Sequence, residues 1–354
     1  MRNSIFTFIT SIILLCIVSC DDWNMPSRED IEPTALKELY SKRDSIKWAE
    51  EDKRHEENEA AYQKYLENLR AYKATKHPIM FGWFNAWDPS GAGKYPKLSL
   101  IPDSMDIVSI WGNWHSLNDE KIKELRSVQA KGTKVIIGWI IENIGDQIKW
   151  GRDQWPVDDK IAIENYAQSI VDTIAKYGYD GFDYDYEPSY KSPFKPGNHC
   201  GDLTSCLRDG GKEKEIYFMQ QMRKKLDELG VKENKKMIFN LNGSLDWLDP
   251  SAAKYFDYFV AQSYNGTVGT FDGWISRTQS RLPDVQPDRI IVTESFQNNA
   301  SARKRISDVY APYVNSRQGN IGGIGVFHIN EDAFENNAYQ NVRKAISIMN
   351  PSVR

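Results

Sequence analysis

From residue 79 onward, short runs of apolar, β-branched and aromatic residues alternate with longer segments whose apolar positions recur every three or four residues. The short runs predict strands at Ile79–Asn85, Met105–Trp111, Lys134–Ile141, Gly181–Glu187, Met237–Asn242, Tyr258–Tyr264, Arg289–Phe296 and Gly323–Ile329. The amphipathic stretches between them, among them Asp119–Ala130, Ile161–Tyr177, Glu213–Leu229 and Ser301–Asn315, predict helices. Such alternation, with eight strands over about 270 residues, fits an α/β chain closed as a (β/α)8 TIM barrel in both number and length. A doubly wound sheet more often has fewer strands and a glycine-rich phosphate loop, and neither a GxGxxG nor a P-loop pattern is present.

Residues 28–76 have a different texture. Acidic and basic residues interleave, Pro33 suits a helix start, and His77-Pro78 ends the segment. Tyr62, Tyr65, Leu66, Leu69 and Tyr72 keep a helical spacing. The segment reads first as a solvated helical spacer and second as a face that docks on a protein surface. Ahead of it, Arg2 precedes an apolar run from Ile5 to Val18, short for a membrane span and placed as a signal peptide. Ile17-Val18-Ser19-Cys20 resembles a bacterial lipobox, which makes Cys20 the lipidation site. Asp21-Asp22 behind it resembles the surface-export signal of Bacteroidetes lipoproteins. The expected organisation is a lipoprotein signal peptide over 1–20, a charged helical spacer over 21–76 and the barrel over 77–354. The expected location is the outer membrane, lipid-anchored and facing the cell surface.

Composition narrows the partners. The 45 basic and 49 acidic residues leave a net charge of −4, which argues against a nucleic-acid partner. Of the four cysteines, Cys16 leaves with the signal and Cys20 takes lipid. Cys200 and Cys206 lie close together in a Gly/Pro/Asn-rich stretch, and outside the cytoplasm they are expected to form a disulfide. A metal site drawing on His199 and these two cysteines lacks a fourth ligand, so neither metal nor cofactor is expected.

The chemistry concentrates at the end of the fourth strand, Asp180-Gly-Phe-Asp-Tyr-Asp-Tyr-Glu187. Strand side chains alternate faces, so Asp183, Asp185 and Glu187 share one face and Phe182, Tyr184 and Tyr186 the other. The aromatic face seeks the helix layer, which points three carboxylates into the barrel at steps of about 6.5–7 Å. Several carboxylates in a partly desolvated space cannot all ionise cheaply, so at least one holds its proton to higher pH. Glu187, at the rim, is then placed as a general acid near neutral pH.

This octet fits the DGxDxDxE pattern of glycoside hydrolase family 18, and the chain resembles that family over about 77–350. The resemblance implies substrate-assisted retaining hydrolysis, with Glu187 as acid and then base. It implies that Asp185 orients the sugar's own 2-acetamido group, that Asp183 supports it from behind, and that the sugar at the −1 position is N-acetylated. Gln262-Ser263-Tyr264-Asn265 differs from the Met-x-Tyr-Asp usual in chitinases of the family and resembles the endo-β-N-acetylglucosaminidases that cut between the two core GlcNAc residues of N-glycans. Many chitinases also insert an α+β domain between strands seven and eight, and here 296–321 leaves room for little more than one helix. Phe327 stands near where a chitinase carries the tryptophan floor of the −1 site.

Gln262 and Tyr264 are therefore expected at the acetamido group. Asn240 and Asn242 are expected to reach toward sugar hydroxyls, and Trp87, Trp111, Trp114, His115, Trp139 and Asn143 to supply loop contacts. Glu294 is either a substrate contact or a partner for an arginine, and the 188–212 loop walls the groove. The expected partner is an N-glycan or another GlcNAc-containing oligosaccharide, with a glycan importer alongside a monomeric protein. The alternatives are a chitinase or chito-oligosaccharide hydrolase, and a glycan-binding lipoprotein without turnover.

Overall fold

The structure is a computed structural model that describes residues 60–85, 87–90, 97–148, 158–194, 211–317, 319–334 and 338–351. Cys20, Cys200 and Cys206 lie outside the described residues. Strands β1 (Ile79–Asn85), β2 (Ile107–Trp111), β3 (Lys134–Ile140), β4 (Gly181–Tyr186), β5 (Ile238–Gly243), β6 (Tyr258–Ala261), β7 (Ile290–Ser295) and β8 (Gly323–Phe327) pair in chain order. All pairings are parallel and β8 returns to β1, so the fold is a closed (β/α)8 barrel.

Helix α1 covers 60–74, ahead of the first strand. Then come α2 (Asp119–Ala130), α3 (Asp159–Tyr177), α4 (Lys212–Glu233) and α5 (Val268–Arg281). The helix expected at Ser301–Asn315 is a continuous run of α6 (Ala300–Arg305), a π-turn (Ile306–Tyr310) and α7 (Ala311–Ser316); α8 (Gln340–Met349) closes the fold. Starts are capped as the sequence allows: Asn118 accepts from Lys121 N, and Asp158 from Lys160 N and Ile161 N. Two strands, β6 and β8, end two or more residues earlier than expected. β6 stops at Ala261 because Ser263 N turns back to Ala261 O at 2.8 Å, and β8 stops because His328 is left-handed, with φ 56°.

Alternation along each strand divides the side chains between the barrel interior and the helix layer. Ile79, Phe81, Trp83, Ile107, Ile136, Ile238, Val260 and Ile291 form the interior core, with Trp111, Tyr258 and Phe327 packed on it. Gly138 on β3 makes the interior wide enough beside β4: a Cβ there would lie 2.5 Å from Asp183 O and 2.9 Å from Asp183 Cβ.

The tyrosine and leucine face of α1 docks on the barrel's own lower end, where the strands begin. Leu66 is buried, Tyr65 OH donates to Asp103 Oδ2 at 2.5 Å, Arg70 Nη1 donates to Ala130 O at 2.9 Å, and Lys73 Nζ donates to Thr133 Oγ1 at 2.6 Å. The Tyr72 ring stacks on His77 at 4.4 Å. The compact unit that holds the barrel accordingly begins at Asn58, and this helix is part of it.

Candidate active site

The strand register sets the site. Asp183 lies level with Gly138 on β3 and Asn240 on β5, and Asp185 lies one step higher, level with Ile140 and Asn242. Asp183 is fully buried, and its Oδ2 accepts from Trp83 Nε1 at 2.7 Å and Ser109 Oγ at 3.0 Å. Neither Trp83 nor Ser109 stands out in the sequence. Their signal is positional: both sit on inward-facing steps of β1 and β2 and pair directly with each other. Glu187 follows the last residue of β4 and is half-buried at the rim.

Gln262 ties this group together. Its Nε2 lies 3.2 Å from Asp185 Oδ1, 3.1 Å from Glu187 Oε1 and 3.1 Å from Asn242 Oδ1. An amide nitrogen carries two protons, so it satisfies two of these three oxygens at once. Burial pushes Asp185 well above the usual carboxylate range; the charges of Glu187 and Asp183 push the same way, and only the Gln262 amide opposes them. Burial likewise raises Asp183 to about 6, against the pull of the Asn242, Trp83 and Ser109 donors.

Above the carboxyls lies an aromatic floor. Phe327 meets Trp83 edge-on at 5.9 Å, Trp111 edge-on at 6.3 Å, and Tyr264 in a stack at 6.1 Å. Burial raises the Tyr264 phenol far above its ordinary value, and the surrounding carboxylates Asp185, Glu187, Asp183 and Glu294 raise it further. Tyr264 is therefore a neutral hydroxyl that can donate a hydrogen bond. The structure thus gathers Asp183, Asp185, Glu187, Gln262, Asn242, Tyr264, Trp111 and Phe327 at the upper end of one barrel.

The family model for glycoside hydrolase family 18, BT1044-like, matches residues 42–348. The chain belongs to glycoside hydrolase family 18. Its fold is similar to the solved structure of a glutamate-to-glutamine variant of BT1044, with a TM-score of 0.68 and 26% identity over 84% of this chain and 95% of that one. It is also similar in fold to a family 18 chitinase from Pseudoalteromonas aurantia, with a TM-score of 0.52 and 17% identity over 75% of this chain and 99% of the other. Among curated proteins it resembles endo-beta-N-acetylglucosaminidase F2 of Elizabethkingia meningoseptica, 30% identical over 135 residues. That match covers 35% of this chain and 37% of the relative.

Several expected contacts of this family 18 site are placed elsewhere. Trp139 is corrected: it pairs in register with the outward Tyr184, so it faces the helix layer. There it stacks on Trp114 at 4.5 Å, meets Phe182 edge-on, and donates from Nε1 to Tyr166 OH at 3.2 Å. Trp114 is buried with it, and Trp87 is buried against α2 with Nε1 on Glu124 Oε2 at 2.8 Å. Of the neighbouring loop positions, His115 is exposed and meets Trp114 edge-on, and Asn143 is buried in the loop that Asp146 closes. Asn240 is fully buried beneath Asn242, with neither amide atom hydrogen-bonded. Glu294 is the partner of an arginine: Oε2 accepts from Arg305 Nε at 2.9 Å, and Oε1 accepts from Asn265 N and Ser295 N.

Proposed function

We propose that this family 18 glycoside hydrolase is an endo-β-N-acetylglucosaminidase that cuts the β-1,4 bond between the two core GlcNAc residues of N-linked glycans. The observation that carries the reading is Gln262, whose single amide nitrogen joins Asp185, Glu187 and Asn242. The likeness to a protein named for this activity and the short, helical β7–β8 connection support the same branch over a polymer-binding chitinase.

In the first step Glu187 protonates the glycosidic oxygen. The carbonyl oxygen of the sugar's own acetamido group bonds to the anomeric carbon as the glycosidic C–O bond breaks, and the leaving sugar departs as an alcohol. Asp185 accepts a hydrogen bond from the amide N–H and balances the oxazolinium charge, with Asp183 behind it and the Tyr264 hydroxyl donating to the carbonyl side. In the second step water attacks the anomeric carbon, its proton passes to Glu187, and the ring C–O bond opens to restore the acetamide. The product keeps its β configuration. Phe327, with Trp83 and Trp111 at its edge, forms the apolar floor under this sugar.

The test is incubation with N-glycoproteins and mass spectrometry of both products. One GlcNAc left on asparagine is the expected result. Cleavage of chitin oligomers alone, or glycan binding without turnover, overturns the proposal. The lipobox-like Ile17-Val18-Ser19-Cys20 supports a second element of the same reading: a lipid anchor on Cys20 at the outer membrane, facing outward. Metabolic labelling with a palmitate analogue is expected to mark the wild type and to be lost in Cys20→Ala; equal labelling of both overturns the anchor.

A further inference from the structure

One exposed aromatic follows the rim carboxylate by three residues. Tyr190 is 57% exposed, and its backbone N–H donates to Glu187 O at 2.9 Å, with Lys191 N on the same oxygen at 3.0 Å. This turn holds the Tyr190 backbone three residues past Glu187, on the loop that leaves β4.

Its backing is built, not loose. Lys191 Nζ lies 5.2 Å from the centre of the Tyr190 ring and pairs with Glu142 Oε2 at 2.8 Å. Glu142 sits on the loop after β3, and that loop is closed by Asp146, whose Oδ2 accepts from Glu142 N and Asn143 N at 2.6 Å each. The fully buried Tyr166 holds it from below, donating to Asp146 O at 2.9 Å. A rigid loop thus positions a carboxylate, the carboxylate positions an ammonium, and the ammonium backs an exposed aromatic face. A flat ring backed on one face by an ion pair leaves its other face for the apolar C–H face of a pyranose.

The position decides which sugar. The N-acetylated sugar that reacts lies inside the barrel mouth over Phe327 and Tyr264, and Glu187 stands at the oxygen of the bond to be cut. A ring three residues past Glu187, on the loop that leaves β4, lies on the other side of that bond. We infer that Tyr190, backed by the Lys191–Glu142 pair, is the platform for the leaving-group GlcNAc. This rests on the cleavage proposed above and deepens it by assigning a residue to the sugar that stays on the protein.

The experiment compares two substrates that share the reacting sugar and differ in the leaving group: an N-glycopeptide, and the matching N-glycan oxazoline, in which the leaving-group bond is already broken. For Tyr190→Ala, kcat/KM on the glycopeptide is expected to fall about tenfold, the size of one lost ring face at about 1.4 kcal/mol, while oxazoline hydrolysis stays within about twofold of wild type. Tyr190→Phe keeps the ring and is expected to retain both rates. Lys191→Met is expected to lose glycopeptide cleavage in the same selective way, to a smaller extent. Equal losses on both substrates, or no loss on either, overturn the platform alone. A wild-type protein that turns over neither substrate overturns the proposed reaction and the platform with it.

Discussion

Three carboxyls on one inward strand face set the residue-scale behaviour, because the charges of Glu187 and Asp183 make ionisation of the buried Asp185 more costly. Glu187→Gln keeps the hydrogen bond from Gln262 but cannot give up a proton. Its kcat is expected to fall by about 10²–10⁴-fold with an unchanged melting curve, and near-normal rates would reject Glu187 as the acid. Asp185→Asn separates function from stability in the opposite sense. Asp185 and Asp183 hold their protons above the usual 3.8, so the folded state is favoured at low pH and loses that advantage as pH rises, for Asp183 between about 4 and 6. An asparagine at 185 carries no charge to bury. It is expected to raise the melting temperature at pH 7, with the gain shrinking toward pH 4 while activity is crippled. Thermal scans of both proteins at the two pH values check this; equal shifts at both would rule out charge burial as the cause.

At the scale of the element, strand parity separates what was legible in the sequence from what was not. Alternation alone placed Asp183, Asp185 and Glu187 inward and Tyr184 outward, since one octet carries both faces. The same rule applied to β3 puts Ile136 and Gly138 inside and Trp139 outside, but Trp139 lies in an apolar run whose two faces look alike, so composition hides its direction. Only the register with Tyr184 reveals it. The exposed loop residue three positions past Glu187, Tyr190, carries no pattern at all, because its surroundings come from the ion pair of its neighbour Lys191 with the loop after β3. Gln262 was legible on the inward face but not as the link between two carboxyls, which depends on β6 stopping at Ala261, just before it. The two aromatic positions should therefore respond differently to truncation. Trp139→Ala removes a buried ring stacked on Trp114 and is expected to cost about 3–5 kcal/mol of stability with little change in KM. Phe327→Ala, half-buried at the floor, is expected to reduce kcat/KM more than it lowers the melting temperature. Paired melting and kinetic measurements distinguish them, and a KM defect confined to Trp139→Ala would reverse the assignment.

For the whole molecule, the mouth and the chain's approach lie at opposite ends of the barrel. The spacing of Tyr62, Tyr65, Leu66, Leu69 and Tyr72 announced a docking face, but no local pattern names its partner, because Asp103, Ala130 and Thr133 lie far along the chain. At the junction, His77 Nε2 pairs with Asp106 Oδ1 at 3.1 Å, and Asp106 Oδ2 accepts from Met80 N at 2.8 Å, so one carboxylate joins the helix junction to β1. Burial by itself lowers the His77 pKa, with Lys73 adding to that, but the Asp106 hydrogen bond and charge and the Thr75 carbonyl outweigh both and raise it above its ordinary 6.5. A raised histidine contributes its full stability below 6.5 and loses it as pH climbs through the folded value. Lys73, which burial brings down to about 8 despite Asp106 and Asp103, acts in the other direction above that pH. The melting temperature is therefore expected to fall between pH 6.5 and 8, and His77→Gln, which keeps a donor but cannot titrate, is expected to flatten that slope. Because these groups sit where the strands begin, kcat/KM on a small glycopeptide should be the same for both proteins across that window. An unchanged slope in His77→Gln would remove the clamp, and a parallel loss of activity would mean that the lower end of the barrel communicates with the mouth.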